Sequence, residues 1–251
     1  MKTVQVKDIV FGEGMPKVCV SIMPSNKAEI DKEIEKLNGY AMDVVEWRMD
    51  YYEEDLQEAA MIIHEKLKEK ALLATFRTKE EGGQRTINVD DYIDLNEWIM
   101  KHQCCDMIDF EYFFCENELN RLIEMAHENH IVVILSKHDF EKTPAAEEMM
   151  LYMKMMQRKQ GDISKVAVMP QDKDDVLSLL KVTWDMYKNF ADRPLITMSM
   201  GHDGIVSRLC GEIFGSCMTF GSVGQASAPG QIDANDLKSI LESIHKENSG
   251  Y

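Results

Sequence analysis

Residues 131–170 read IVVILSKHDFEKTPAAEEMMLYMKMMQRKQGDISKVAVMP, and the fold follows from this stretch. Ile131-Val-Val-Ile-Leu135 is a short, β-branched apolar run of strand length. Residues 144–160 then carry Met149, Met150, Met153 and Met156 at helical spacing, with polar residues between them. Lys165-Val-Ala-Val-Met169 is a second apolar run, closed by Pro170. Strand, helix and strand in that order imply a right-handed βαβ unit with two parallel strands.

The same alternation extends in both directions. Upstream lie Val18-Cys-Val-Ser-Ile22, Met42-Asp-Val-Val-Glu-Trp47, Ala71-Leu-Leu-Ala-Thr-Phe76 and Met107-Ile-Asp-Phe-Glu111. Downstream lie Leu195-Ile-Thr-Met-Ser199 and Cys217-Met-Thr-Phe-Gly221. Polar, helix-period stretches fill the intervals at 27–38, 56–69, 91–102, 116–129 and 172–190. Eight such units in 251 residues predict an α/β fold, the (β/α)8 TIM barrel. An open doubly wound sheet is the alternative, but the first strand lacks the G-x-G-x-x-G turn that dinucleotide binding favours. No linker, repeat or low-complexity segment marks a boundary, so one domain over 1–251 is expected. Residues 1–16 precede the first unit with their own alternation, Val4, Val6, Ile9 and Phe11, followed by Gly12 and Gly14. They are expected to form a short N-terminal hairpin that plugs the barrel floor.

Composition narrows the function. Lys+Arg number 28 against Asp+Glu 44, a formal net charge of −16, which disfavours nucleic acid and anionic membranes as partners. No apolar run approaches the roughly 20 residues that span a bilayer. The start, MKTVQVKDIVFGEG, lacks the apolar core of a signal peptide, so a cytoplasmic location is expected. Cys19, Cys104, Cys105, Cys115, Cys210 and Cys217 include no C-x-x-C pair and no zinc-like spacing. They are expected to be free thiols filling the core, with no metal site.

Alternate residues of a strand share a face, and in a barrel the carboxyl ends of the strands carry the site. Strand two then places Glu46 and Arg48 on one face, strand three Thr75 and Arg77, and strand four Asp109 and Glu111. Strand five ends in Ser136 and His138, and strand six carries Lys165 on the face of Ala167 and Met169. A lone Arg at a strand end is usually a solvated rim charge, and a lone His usually structural. Five adjacent strands turning polar at one depth are different, because an enclosed charge needs a partner or a function. Lys165 lies within an otherwise apolar run. It either snorkels from a strand start or is an amine desolvated among Arg48, Arg77 and His138. The second environment disfavours an ammonium and frees an amine that can attack a carbonyl. His138, one strand away and with an ordinary pKa of about 6.5, is then the natural acid–base group.

The last loops supply an anion site. Ser207-Arg208 follows strand seven, and Gly221-Ser-Val-Gly-Gln-Ala-Ser-Ala-Pro-Gly-Gln231 follows strand eight. Arg208 can clamp a carboxylate bidentately, while Ser227 and Gln231 offer hydrogen bonds. A phosphate cradle or a plain mobile loop remains open here, since Gly221-Ser-Val-Gly224 is too short to decide. Local cations on an acidic protein favour a small anionic substrate over a polymer.

The stretches Val44-Val-Glu-Trp-Arg-Met-Asp50, Thr75-Phe-Arg-Thr-Lys-Glu-Glu-Gly-Gly83, Ser136-Lys-His-Asp-Phe140 with Thr143-Pro144, Lys165-Val-Ala-Val-Met-Pro170 and Ser222-Val-Gly-Gln-Ala-Ser-Ala-Pro-Gly-Gln231 carry a resemblance. With them the chain resembles the type I 3-dehydroquinate dehydratases of the shikimate pathway, which serves aromatic amino acid biosynthesis, over essentially its whole length. The resemblance implies a Schiff base between Lys165 and the ketone of 3-dehydroquinate, proton transfer by His138, and Glu81 orienting the histidine. It further implies substrate contacts by Ser21, Glu46, Trp47, Arg48, Arg77, Met200, Arg208, Phe220, Ser227 and Gln231. Arg208 would hold the carboxylate, Met200 and Phe220 would wall the pocket, and the loop bearing Ser227 and Gln231 would close over it. No cofactor or metal is implied, and a homodimer is. Another class I Schiff-base lyase or aldolase would share Lys165 without needing Arg48, Arg77, Ser227 and Gln231 together. A non-catalytic sugar-acid-binding barrel would bind without turnover, and the presence of both Lys165 and His138 speaks against it.

Overall fold

The computed structural model describes residues 2–248. Val4–Val6 (β1) and Ile9–Phe11 (β2) pair antiparallel, turning at Lys7, whose φ of 53° is left-handed. The strands Lys17–Ile22 (β3), Val44–Arg48 (β4), Ala71–Thr75 (β5), Met107–Glu111 (β6), Val132–Asp139 (β7), Ile163–Val168 (β8), Leu195–Ser199 (β9) and Met218–Ser222 (β10) follow. From β3 to β9 each pairs parallel with the next, and β10 pairs parallel with β3. A bridge between Leu195 and Ser216 closes the ring, where the Cys217 N–H donates to the Leu195 carbonyl at 2.7 Å. The short strand Ile232–Asp233 (β11) adds to the outside of β10.

Helices follow the strands as the periodicity predicts: Lys27–Lys36 (α1), Leu56–Lys66 (α2), Val89–Lys101 (α3), Leu119–Glu128 (α4), Ala146–Arg158 (α5) and Lys173–Asn189 (α6). Between β9 and β10 the chain makes two short helices, Ile205–Leu209 (α7) and Gly211–Phe214 (α8), and it finishes with Ala234–Asn248 (α9). Asp55, Asn88 and Asp172 accept backbone N–H groups at the starts of α2, α3 and α6, the ordinary N-cap chemistry. None of these helices is long and apolar enough to cross a membrane.

Strand alternation sorts the core into two layers. Val45, Trp47, Leu72, Ala74, Phe110, Leu135 and Val166 face outward and pack under the helices with Ile63, Ile99, Leu122, Met149, Met153 and Met186. Cys19, Val44, Leu73, Met107, Ile134, Ile163 and Ile196 fill the barrel, joined from below by Val6 and Phe11 of the hairpin. The predicted plug is therefore present in the hairpin of residues 4–11, residue 1 of the predicted 1–16 lying outside the described residues. Lys7 anchors it, donating to the carbonyls of Lys68 and Lys70 and pairing with Asp106 at 2.8 Å.

Three aspartates set the register. Asp43, Asp106 and Asp162 each sit just before a strand and accept the N–H of Val18, Leu72 and Val133 on the neighbouring strand, at 2.7, 2.9 and 2.8 Å. The cysteines are free, five buried and Cys210 half-buried, as core-filling thiols should be. β7 runs through Ser136, Lys137 and His138, as the alternation predicts, and these pair with Lys165, Val166 and Ala167. One strand limit differs from the sequence reading. β8 starts at Ile163, so Lys165 is an interior strand residue and its side chain does not snorkel outward from a strand start.

Candidate active site

A cleft opens where the strands end, lined by inward side chains of β4, β7, β8, β9 and β10 and by the following loops. Glu46 of β4 accepts the Thr75 hydroxyl at 3.0 Å and the Ser21 hydroxyl at 2.5 Å. Arg48, two residues on, donates through Nε and Nη2 to the two oxygens of Asp50, both at 2.8 Å. Asp50 also accepts the Gln84 N–H at 2.9 Å, which fixes the loop after β5.

Arg77 is the hub. Its Nη2 donates to Asp109 Oδ1 at 2.8 Å, and its Nη1 to Glu111 Oε1 at 2.9 Å and Ser136 Oγ at 3.0 Å. Burial works against this guanidinium, but Asp109, Glu111 and Glu81 hold it firmly cationic. Glu111 also takes the N–H and hydroxyl of Thr78. Each oxygen of that carboxylate is thus occupied.

Lys165 is buried inside the barrel, its Nζ 3.0 Å from Asp109 Oδ2 and 4.8 Å from the centre of the Phe220 ring. Burial pushes the Asp109 carboxyl up, but Arg77 and Lys165 overcome that and hold it at about 2. The sequence reading set Lys165 among cations alone; the structure corrects this with a carboxylate in direct contact. Alternation places Asp109 and Glu111 on one face of strand four, and the fold shows Asp109 reaching β8.

His138 follows on β7. One oxygen of Glu81, Oε2, lies 2.9 Å from the His138 backbone N and 3.0 Å from its Nδ1, while Oε1 accepts Lys137 Nζ at 2.8 Å. Since Glu81 Oε2 already accepts the backbone N–H, Nδ1 is the protonated ring nitrogen and Nε2 is left as base. Burial, then Arg77, Lys165, Arg48 and Lys137, push the imidazolium well below its ordinary pKa. Burial and the charge of Glu111 raise Glu81 to about 7, against the pull of Arg77 and Lys137.

The loop after β10 covers the mouth. Ser227 Oγ is 3.0 Å from Ser21 Oγ, its N–H donates to Gln231 Oε1, and Gln231 Nε2 donates back to its hydroxyl, both at 2.9 Å. Arg208 lies beneath, 1% exposed, donating to the Pro229 carbonyl at 2.9 Å and facing Met198 Sδ at 3.8 Å. Its Nε has no partner, and it has no carboxylate partner among the described residues. Burial lowers it to about 10. A buried cation with free donors is a seat for an anion.

Glu46, Arg48, Arg77, Glu81, His138, Lys165, Met200, Phe220, Ser227 and Gln231 line this one cleft. Ser21 and Arg208 sit just behind it, bonded to the covering loop. Trp47 does not join them. Its side chain faces the helical layer against Tyr52, because it occupies the odd position between inward Glu46 and Arg48. Met198, Phe140, Gly82 and Ala228 also line the cleft and were not singled out from sequence. Met198 lies two residues before Met200, which the family resemblance gave, and so was open to the two-residue alternation; the other three sit on loops with no periodicity to read. Among the described residues no cluster of His, Cys, Asp and Glu is arranged to hold a metal. The cleft can seat an anion, present an amine to a carbonyl, and move a proton beside it.

A family model described as type I 3-dehydroquinase matches residues 18–248. A 3-dehydroquinate dehydratase of Salmonella typhimurium is 45% identical, the match covering 98% of this chain and 100% of that protein. The type I 3-dehydroquinate dehydratase of Clostridium difficile, solved with covalently modified comenic acid, superposes with a TM-score of 0.94 at 43% identity, covering 98% of this chain and 99% of that one. The 3-dehydroquinate dehydratase of Enterococcus faecalis gives 0.88 at 38% identity, covering 96% and 99%.

Proposed function

The chain belongs to the type I 3-dehydroquinases and is by that membership a 3-dehydroquinate dehydratase, a hydro-lyase; we propose that it works through a Schiff base on Lys165. The observation that carries this reading is the position of Lys165 Nζ, enclosed in the barrel beside Asp109, Phe220 and the His138 strand.

The substrate carboxylate binds Arg208, whose Nε is unpartnered and whose two Nη atoms each carry a second N–H. Glu46, Arg48, Gln231 and Ser227 hold the hydroxyls, and the loop carrying the last two keeps water out. Lys165 gives up a proton, its amine adds to the ketone carbon, and the carbinolamine oxygen leaves as water to give an iminium. His138 Nε2 then takes a proton from the carbon beside the iminium, and the C–H electrons move onto nitrogen as an enamine. The enamine expels the hydroxyl of the next carbon, which leaves as water with the proton His138 had taken. Water then hydrolyses the conjugated iminium, releasing 3-dehydroshikimate and Lys165. Glu81 supports each proton step by fixing the Nδ1–H tautomer.

A cytoplasmic homodimer completes the reading; it rests on the resemblance to the family and on free, unpaired cysteines, and sedimentation would test the dimer. The chemical test is borohydride reduction of the protein with 3-dehydroquinate, followed by intact mass and peptide mapping. A reduced adduct on the peptide holding Lys165 is expected. A folded, active enzyme that gives no adduct would overturn the Schiff-base mechanism.

A further inference from the structure

We infer that Asp109 is the fixed counter-ion of the nitrogen at position 165, favouring its ammonium and iminium forms over its neutral ones; this rests on the Schiff-base reading above. Asp109 is buried in β6, and it cannot swing away. Oδ1 accepts Arg77 Nη2 at 2.8 Å and the Ser136 hydroxyl at 2.5 Å, leaving Oδ2 to face Lys165 Nζ at 3.0 Å. With both oxygens accepting hydrogen bonds from cations or a hydroxyl, the group has no call to take a proton.

The charge balance gives this pair its role. An ammonium and a ketone become an iminium and water, so nitrogen carries one positive charge before and after the covalent bond forms. A carboxylate built to match the resting ammonium therefore matches the iminium equally. The enamine is neutral. While it exists, the positive charge that faced Asp109 sits on His138, one strand away, and Asp109 keeps only Arg77 in direct ionic contact, which is costly in a closed barrel. The enamine is relieved by return of the His138 proton to carbon, which runs backward, or by loss of the hydroxyl as water with that proton, which runs forward to the conjugated iminium. Asp109 thus acts as a positioning residue that shortens the life of the neutral intermediate and fills the cationic ones.

Asp109→Asn keeps the shape and an oxygen for Arg77 and Ser136 but removes the charge. At saturating 3-dehydroquinate, borohydride should trap at least about tenfold less adduct on Lys165 than in wild type, and kcat should fall about 10²-fold or more. KM should change little, since Asp109 lies beneath the amine. Asp109→Glu, which restores a charge, should recover part of the trapping. Equal trapping in Asp109→Asn, or a loss confined to KM, would overturn the inference. If Asp109→Asn does not fold, Ser136→Ala carries the test: removing one of the two hydrogen bonds that pin Oδ1 should reduce trapping severalfold, and unchanged trapping refutes the pinned counter-ion. Absence of adduct in wild type would instead sink the Schiff-base reading itself, so the two failures are distinct.

Discussion

A single oxygen of Glu81 serves both the backbone N–H and the ring Nδ1 of His138, at 2.9 and 3.0 Å. Main chain and imidazole are thus tied to one atom, and the ring cannot turn without losing a bond. The arrangement is strong only with Glu81 ionised, because a neutral carboxyl accepts more weakly from Nδ1–H. Burial and Glu111 raise that carboxyl to about 7, whereas His138 is pushed well below its ordinary range. As pH falls through about 7, Glu81 takes up a proton while the ring is still neutral, and the working tautomer loses its support. The kcat/KM profile should therefore decline on its acid side with an apparent midpoint near 7. Glu81→Gln should remove that limb and lower kcat by about 10²-fold. A profile unchanged in Glu81→Gln would show that the limb belongs to another group.

Arg208 trades stability for binding. It is buried without a carboxylate, and burial lowers it to about 10 from an ordinary value of 12.5. A cation whose folded pKa is depressed destabilises the fold at every pH below about 10, and the penalty fades only as pH rises beyond it. Arg208→Met should raise stability by about 1–3 kcal/mol in urea unfolding. The same variant should lose at least about 10²-fold in kcat/KM for want of a carboxylate partner. A variant that is both less stable and fully active would contradict this account.

The covering loop closes on a glycine. Gly230 has φ of 77°, and a Cβ there would lie 2.2 Å from the Gly201 carbonyl oxygen. Next to it, the Pro229 carbonyl receives both Arg208 Nη2 and the Gly201 N–H. Gly230→Ala should unseat the loop, raising KM about tenfold or more while shifting Tm by only a few degrees, since few core contacts are lost. Wild-type KM in this variant would mean the seat is not needed for binding.

The barrel was legible because each unit repeats one strand and one helix, and the plug because Val4, Val6, Ile9 and Phe11 alternate. The inner face of β4 to β8 could also be read, since a two-residue period needs no tertiary information. What escaped was pairing across strands. Asp109 and Lys165 are 56 positions apart and meet only through the barrel's curvature, so the sequence reading left the lysine among cations. Trp47 shows the opposite error: a family stretch places it beside Glu46 and Arg48, while alternation alone turns it outward. Phe140, Gly82 and Ala228 belong to loops, where no periodicity exists to be read.

The plug and the chemistry occupy opposite ends of the barrel, and this separation can be tested. Phe11 is fully buried among interior residues such as Leu73, Met107 and Ile163, far below the cleft lining. Removing its ring leaves a cavity in a closed barrel whose walls are hydrogen-bonded strands and cannot collapse inward. Phe11→Ala should therefore cost about 3–5 kcal/mol in urea unfolding. Lys7→Met should cost less, about 1 kcal/mol or below, because its bonds to the Lys68 and Lys70 carbonyls and its pair with Asp106 are open to water. Neither change touches the residues that hold Lys165 or His138, so kcat at 25 °C should stay within about twofold of wild type while the protein remains folded. A large loss of kcat in folded Phe11→Ala would mean that the barrel floor positions the strands carrying the site, and that the two ends are not independent.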